Sequence, residues 1–219
     1  MSRPLLITDC DEVLLHMVVP FRDWLDERHE IHFDFREIGF INALRRKACG
    51  TVLEQGEVWD LLSQFFDTDM HRQRPIEGAL DAMERISRVA DIVVLTNIGE
   101  RHHQLRIEQL RAVGLEFPVH WNQGGKGAPL AALVERYRPS VAFFVDDLPQ
   151  HHESVEHHAP SVWRLHMVGE PAFAPLVGDA PRAHARIDRW AEAEQWIMDR
   201  MTAGPPPADH PVVGGTEQA

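Results

Sequence analysis

Short apolar runs recur along this chain and alternate with stretches in which apolar residues are spaced three or four positions apart. The runs are rich in β-branched and aromatic residues, as is typical of strands buried on both faces of a parallel sheet. They predict five strands, over residues 5–8, 91–96, 117–121, 141–145 and 161–166. The stretches between them predict helices over residues 77–90, 100–113 and 126–137. This alternation predicts an α/β fold, a parallel sheet covered by helices on both faces.

The helix predicted over residues 100–113 shows how an apolar face is assigned. Leu105, Leu110 and Val113 share one side of that helix at helical spacing, so we expect them to pack on the sheet. Gly114 follows as a natural C-terminal stop.

One region interrupts the alternation, because no strand is predicted between residues 16 and 74. Helical spacing dominates there and predicts helices over residues 21–29, 35–47 and 54–66. An insertion of about sixty residues after the first strand would lie over the carboxyl ends of the strands, where a lid belongs. The alternative is a set of extra helices packed on one flank. Residues 203–219, rich in proline and glycine, are predicted to be a disordered tail.

Two carboxylates, Asp9 and Asp11, follow the first predicted strand. Their i, i+2 spacing points both side chains to the same side of an extended chain. The carboxyl end of a parallel strand opens onto the crevice where such sheets bind ligands. Of two acids facing one crevice, one can attack a substrate and the other can move protons. The alternative is a strand that simply ends in polar turn residues.

Polar residues also end the second predicted strand and open a later helix. Thr96 and Asn97 precede a helix N-terminus, where a hydroxyl and backbone amides can hold an anion, although both residues are also common in strands and turns. Lys126 opens its helix within a glycine-rich stretch. A lysine at the positive end of a helix dipole favours a nearby anion or carboxylate, unless the side chain is solvated in a flexible loop.

The fourth predicted strand ends at the adjacent carboxylates Asp146 and Asp147. Neighbouring carboxylates at the end of a buried strand repel each other unless a cation compensates them. Mg²⁺ is a hard cation that prefers such oxygens. Asp147 could instead cap a helix that begins near Pro149.

Composition limits the classes of partner. The net charge of −12 argues against a nucleic-acid backbone or an anionic membrane as the main partner. Two cysteines do not make a disulfide framework, and no apolar run is long enough to span a bilayer, so we expect a reduced, cytoplasmic protein. Fourteen histidines, several of them in adjacent pairs, are interpreted as solvated residues on helix surfaces, because adjacent helical positions point in different directions.

The order of these motifs, Asp-x-Asp-x-Val, Thr, Lys and Asp-Asp, resembles that of the haloacid dehalogenase (HAD) superfamily of aspartyl-nucleophile phosphohydrolases. Residues 75–80 also resemble the proline–glycine segment with which many members return from a helical cap. The resemblance implies a Rossmann-like core over residues 1–15 and 75–202, with a helical cap over residues 16–74. Glu12 departs from the family pattern, since glycine is common there and gives backbone freedom that glutamate lacks.

The resemblance also implies roles for the polar residues. Asp9 would be the nucleophile that forms an aspartyl-phosphate, and Asp11 the general acid and then the base. The residues that would hold the phosphoryl oxygens are Thr96, Asn97 and Lys126.

A magnesium site is implied at the same place. Asp9, Asp146 and the backbone carbonyl of Asp11 would bind Mg²⁺, while Asp147 would either join the metal ligands or orient Lys126. The metal is physically needed, because a carboxylate cannot easily approach a phosphate dianion without charge neutralisation.

The expected function is a Mg²⁺-dependent phosphohydrolase acting on a small phosphorylated metabolite, with neither nucleic acid nor membrane as partner. A phosphomutase of the same superfamily shares these motifs and stays open as an alternative. Dehalogenases of the superfamily lack the acid at the position of Asp11. A non-catalytic phosphate-binding protein or phospho-switch is a third possibility, but in receiver domains the acidic pair comes early in the chain, whereas here it comes last.

Overall fold

The computed structural model describes residues 2–35 and 40–207, and within them eight strands and seven helices. The strands are β1 (Leu5–Thr8), β2 (Ile31–Phe33), β3 (Leu44–Arg46), β4 (Asp91–Asn97), β5 (Val119–Asn122), β6 (Ala142–Asp146), β7 (Trp163–His166) and β8 (Ala185–Arg186). The helices are α1 (Val18–His29), α2 (Gln55–Thr68), α3 (Ala79–Ser87), α4 (His103–Ala112), α5 (Gly127–Tyr137), α6 (Pro149–His158) and α7 (Trp190–Arg200).

Six strands form one parallel sheet in the order β5-β4-β1-β6-β7-β8. β1 lies at its centre, with Leu5 opposite Asp91 of β4 on one side and Ala142 of β6 on the other. The predicted α/β architecture and all five predicted strands are therefore confirmed, with ends that differ by a few residues. The strand β8 and the helix α7 were not predicted.

Both faces of the sheet are covered, which explains why its strands read as continuous apolar runs. Leu6 and Val94 face the side packed by α3 and α7, whereas Ile7 and Leu95 face the side packed by α5 and α6. Successive side chains of one strand thus enter two separate cores. α7 contributes Trp190, whose Nε1 donates to the Val13 backbone oxygen at 2.7 Å and ties the last helix to the segment after β1.

Buried residues between Val18 and Met70 form an apolar cluster distinct from the two cores of the sheet, joined by Ile98. The helices predicted over 21–29 and 54–66 are present as α1 and α2. The predicted helix over 35–47 is wrong where the structure describes it, because residues Phe40–Ala43 form a 3₁₀ turn and β3 pairs antiparallel with β2. The expectation of no strand between residues 16 and 74 is therefore also wrong. Residues 36–39 lie outside the described part of the chain.

The chain end and the cysteines complete the fold. Residues up to Pro207 are described, and the Trp163 indole donates to the Gly204 backbone oxygen at 2.8 Å, while the rest of the predicted tail lies outside the described residues. Cys10 and Cys49 are both free. No helix in the described ranges has the length and apolar character needed to cross a bilayer.

Candidate active site

The ends of three elements bring Asp9, Lys126 and Asp146 into contact. Lys126 Nζ lies 2.8 Å from Asp9 Oδ1 and 2.7 Å from Asp146 Oδ2. Asp9 follows β1, and its backbone N–H continues the ladder to Val145 at 2.8 Å. Lys126 and Asp146 are wholly buried, and Asp9 is 6% exposed. Parallel pairing of β1 with β6 places the two aspartates side by side, and the start of α5 supplies the cation between them.

Close packing of α5 on α6 directs Lys126 inward. A Cβ on Gly127 would collide with the Ser154 backbone oxygen, so only glycine permits this approach. The Gly127 N–H donates to Ser154 Oγ at 3.0 Å and fixes the start of the helix. The interpretation of Lys126 as a solvated lysine in a flexible loop is therefore wrong.

Asp147 adds a third carboxylate to the cluster. Asp9, Asp146 and Asp147 each offer one oxygen, and these oxygens lie within 4.8 Å of one another. Asp146 Oδ1 accepts from the Leu148 N–H at 2.9 Å. Helix α6 begins without a side-chain cap, so Asp147 does not cap it, and its carboxylate accepts no hydrogen bond from the described residues. Three carboxylates facing one lysine leave an excess of negative charge.

Thr96 and Asn97 end β4 beside this cluster but differ in their contacts. Thr96 is wholly buried, and its Oγ1 has no hydrogen-bond partner among the described residues. Asn97 Nδ2 donates to the Gly124 backbone oxygen at 2.8 Å, and its Oδ1 accepts from Asn122 at 2.9 Å. Thr96 thus presents an unpaired hydroxyl, whereas Asn97 braces the glycine-rich segment that leads to Lys126.

Asp11 points toward α4, where it meets a residue that the sequence reasoning missed. Arg106 Nη2 lies 2.9 Å from both carboxylate oxygens of Asp11, and Gln73 Nε2 donates to Oδ1 at 2.6 Å. Arg106 is wholly buried, while Leu105 is 39% exposed. The predicted inward orientation of Leu105 is therefore wrong. Arg106 and Leu110 are the buried residues of α4. Their i, i+4 spacing indicates this face in the sequence only if arginine is accepted as a buried residue.

Among known proteins, the chain is similar to solved structures. No protein-family model matches the sequence, and no curated protein matches it. A haloacid dehalogenase-like hydrolase from Streptococcus pneumoniae superposes with a TM-score of 0.63 at 10% identity, covering 88% of this chain and 97% of that one. The chain has the haloacid dehalogenase-like hydrolase fold.

Two further solved structures share this fold. YfnB of Bacillus subtilis, described as a HAD-hydrolase bound to magnesium, has a TM-score of 0.63 at 13% identity and covers 90% of this chain and 99% of its own. A predicted phosphoglycolate phosphatase from Haemophilus somnus has a TM-score of 0.57 at 15% identity, with coverage of 88% and 97%. The Rossmann-like core implied by the motif resemblance is thus confirmed as a HAD-like fold.

Glu12 adopts the backbone conformation that glycine would favour at this point of the HAD-like fold. Its φ of 59° lies in the left-handed region that favours glycine. The Glu12 side chain stabilises the start of α1, because its Oε1 accepts from the N–H groups of Met17 at 2.8 Å and Val18 at 2.6 Å. Burial raises the pKa of Glu12 to about 7, against the opposing effect of these hydrogen bonds.

The histidine pairs correct one expectation. His102, His151 and His152 are buried, so their interpretation as solvated residues is wrong, whereas His157 and His158 are exposed as predicted. His152 packs on Phe144 and its Nε2 lies 3.0 Å from the Asp146 backbone oxygen. Burial lowers the pKa of His152 to about 4, which keeps the ring neutral beneath the acidic cluster.

Burial controls the charge of the acidic cluster. It raises the pKa of Asp9 to about 7, with Lys126 opposing the shift and Asp146 adding to it. Burial and the neighbouring Asp146 also hold the pKa of Asp147 well above its usual range. For Asp146, burial is the largest single effect and raises the pKa, but Lys126, His151 and His152 together lower the pKa below its ordinary value. In the absence of another cation, the site therefore favours protons on Asp9 and Asp147.

We expect the metal-free protein to lose stability as the pH rises from about 6.5 to 8, above the range in which the lowered pKa of the buried His152 makes stability rise with pH. Asp9, Asp147 and Glu12 hold protons in the folded state at pH values where the unfolded chain has released them. Stability then falls with pH by up to about 1.4 kcal/mol per pH unit for each group, between its ordinary pKa and its raised one. For a chain of this size, 1 kcal/mol corresponds to about 2–4 °C in Tm. Thermal unfolding in EDTA at several pH values measures the slope. A Tm that rises toward pH 8 would contradict the assignment of charges.

Proposed function

We propose that this protein is a Mg²⁺-dependent phosphohydrolase that acts on a small phosphorylated metabolite through an aspartyl-phosphate on Asp9. The observation that carries the proposal is the buried contact of Lys126 with Asp9 and Asp146, at the carboxyl end of a sheet with the HAD-like hydrolase fold. The predicted Haemophilus somnus phosphatase of the same fold supports the substrate class.

Asp9 is proposed to act as the nucleophile. Its Oδ1 accepts from the Cys10 N–H at 2.7 Å and contacts Lys126, which fixes the carboxylate and leaves Oδ2 for attack on phosphorus. The new bond joins Oδ2 to phosphorus while the bond from phosphorus to the ester oxygen breaks, and Asp11 gives that oxygen a proton. Water then attacks phosphorus and gives a proton to Asp11 while the bond from phosphorus to Asp9 Oδ2 breaks. Phosphate leaves, the Asp9 carboxylate is restored and Asp11 is protonated again.

Thr96 and Lys126 supply the electrostatic environment for the phosphoryl group. The unpaired hydroxyl of Thr96 offers a hydrogen bond at the end of β4, and the Lys126 ammonium offers charge. Preorganised donors in a buried site stabilise developing charge better than water does. Asn97, by contrast, is proposed to act on phosphate through the glycine-rich segment that it braces, because protein partners already occupy its amide.

The acidic cluster fits Mg²⁺. Its donors are carboxylate oxygens within 4.8 Å of one another, which is the ligand type that Mg²⁺ prefers. Asp9, Asp146 and Asp147 would hold the ion together with the backbone carbonyl of Asp11. The bound ion would neutralise charge between the carboxylates and a phosphate dianion. None of the described residues donates a hydrogen bond to the carboxylate of Asp147, which favours its role as a ligand over a role in orienting Lys126.

Residues 16–74 are proposed to form the cap, and residues 1–15 with 75–202 the core. The cap has its own aromatic cluster, in which the rings of Phe21 and Phe65 lie 5.5 Å apart. Ile98, one residue beyond the Asn97 end of β4, belongs to that cluster. The cap therefore rests at the carboxyl end of the sheet, where it can cover a substrate.

The direct test is turnover of p-nitrophenyl phosphate by the full chain. We expect phosphate release in Mg²⁺ and its loss in EDTA, with recovery when Mg²⁺ is restored, because the three carboxylates cannot accept a dianion unaided. Equal rates in EDTA would contradict the metal site, and binding without turnover would favour the non-catalytic alternative. With sugar phosphates as substrates, formation of an isomer instead of free phosphate would favour a phosphomutase.

A further inference from the structure

We infer that Arg106 is the positioning residue for Asp11 and that it leaves Oδ2 as the oxygen that exchanges the proton with substrate and water. This inference rests on the proposed phosphohydrolase function and deepens it. The residues concerned lie on three separate elements, namely the segment after β1, the return from the cap, and α4.

The burial of Arg106 needs a partner, and Asp11 provides it. A guanidinium removed from water is costly unless it is paired and hydrogen-bonded. Arg106 Nη2 lies 2.9 Å from both oxygens of Asp11 and bridges them, and Nη1 lies 3.1 Å from Cys10 Sγ. The guanidinium carbon also lies 5.5 Å from the centre of the Phe66 ring on α2. Arg106 is therefore fixed by the core and by the cap helix at once.

Counting acceptor positions on Asp11 identifies one oxygen. A carboxylate has about four lone-pair positions, two on each oxygen. Oδ1 accepts from both Arg106 and Gln73, which fills its two positions, whereas Oδ2 accepts only from Arg106 among the residues that the structure describes. The remaining position lies on Oδ2. The Asp11 side chain is 16% exposed while Arg106 is fully buried, so the free position belongs to the part of the pair that a substrate can reach.

Gln73 is itself held in place. Gln109 Nε2 donates to the Met70 backbone oxygen at 2.6 Å and to Gln73 Oε1 at 3.3 Å. Gln73 is 2% exposed and follows the last turn of the cap. Asp11 thus accepts from Gln73 in the cap return and from Arg106 on α4, whose Nη2 bridges both oxygens, and these contacts limit rotation of the carboxylate.

The consequence is a dependence on the leaving group. An alkoxide leaving group needs a proton from Asp11, whereas p-nitrophenolate leaves readily without one. In Arg106→Lys, the cation is kept, but the shorter side chain with one nitrogen cannot reach both the Asp11 oxygens and Cys10 Sγ, so Asp11 can rotate away. We expect kcat/KM for ethyl phosphate to fall about 100-fold, and kcat/KM for p-nitrophenyl phosphate to fall less than about 10-fold.

Two further variants make the test independent of folding. Arg164→Lys changes another buried arginine, which bonds the Arg182 and Val162 backbone oxygens beside β7, and should leave the ratio of the two kcat/KM values unchanged. Gln73→Met retains Arg106 and frees one position on Oδ1. Gln73→Met should shift the ratio of the two kcat/KM values in the same direction by a smaller factor. If Arg106→Lys does not fold, this shift is the test of whether the contacts of Asp11 position it.

The outcomes separate this inference from the function on which it rests. Wild-type turnover that does not depend on Asp9 would overturn both. Turnover that depends on Asp9, with Arg106→Lys lowering kcat/KM equally for both substrates, would overturn the positioning role alone. A selective loss for ethyl phosphate in Arg106→Lys and Gln73→Met, with an unchanged ratio in Arg164→Lys, supports it.

Discussion

Replacing Asp9 by Asn is expected to lower kcat with p-nitrophenyl phosphate by about 10⁴-fold or more, as losses of catalytic nucleophiles do. The amide has nearly the shape of the carboxylate, but it cannot form the bond to phosphorus. Oδ1 of Asp9 already has two donors, the Cys10 amide and Lys126, so the geometry of the site can survive the change. Steady-state release of phosphate in saturating Mg²⁺ measures the effect.

Stability provides the control for this variant. Asp9 is one of three buried carboxylates that share Lys126, and burial raises its pKa to about 7. Asp9→Asn removes a charge that the metal-free site disfavours at pH 8, so we expect an equal or higher Tm in EDTA together with lost activity. Loss of activity together with a lower Tm would contradict the proposed charges of the site, and it would not bear on the role of Asp9 as nucleophile.

A matched aspartate outside the site completes this experiment. Asp91 begins β4 and forms an exposed ion pair with Arg3 at 3.0 Å. Asp91→Asn should retain wild-type turnover. Retention of more than about a tenth of the activity by Asp9→Asn would contradict its role as nucleophile.

The contact between Asp9, Lys126 and Asp146 could be predicted from the sequence because it follows mainly from the order of the strands and helices. Each residue ends or follows a strongly apolar strand or opens a clear helix, and parallel strands bring their carboxyl ends to one edge. The order of elements therefore determines which side chains meet, although residues 9 and 146 are far apart in the chain. Distances and burial could not be predicted, since they depend on the packing of α5 against α6 at Gly127.

The errors have two physical causes. Strands β2 and β3 are three residues each, too short for a period of two to be distinguished from a helical pattern. Arg106 and His152 are polar residues on buried faces, where a count of apolar positions assigns them to solvent. Their partners, Asp11 and the Asp146 backbone, lie in distant or irregular segments that no local pattern specifies.

Lys126→Met is expected to cause the largest loss of stability among single substitutions at this site. Lys126 is wholly buried between Asp9 and Asp146, and their charges raise its pKa even though burial alone would lower it. Removing one partner of a buried ion pair costs about 3–5 kcal/mol, because the remaining charge stays buried and uncompensated. We therefore expect a decrease of this size in the free energy of unfolding, measured by urea denaturation at pH 8 in EDTA.

An exposed lysine gives the matched control. Lys47 pairs with Asp26 at 2.5 Å on the surface, where both side chains are more than one third exposed. Exposed pairs contribute about 0–1 kcal/mol, so Lys47→Met should change the free energy of unfolding by no more than that. Equal effects of Lys126→Met and Lys47→Met would show that the buried cluster is not electrostatically coupled.

Protons and Mg²⁺ should each offset the loss of Lys126, since both supply the positive charge that the carboxylates lack. Near pH 6, Asp9 and Asp147 can take up protons, because burial raises both pKa values, and the difference between Lys126→Met and wild type should narrow. Saturating Mg²⁺ at pH 8 should narrow it as well, by binding the folded state. Turnover should nevertheless stay low in Lys126→Met, because the ammonium that contacts Asp9 is absent. Stability recovered without activity would separate the electrostatic role of Lys126 in folding from its role toward the phosphoryl group.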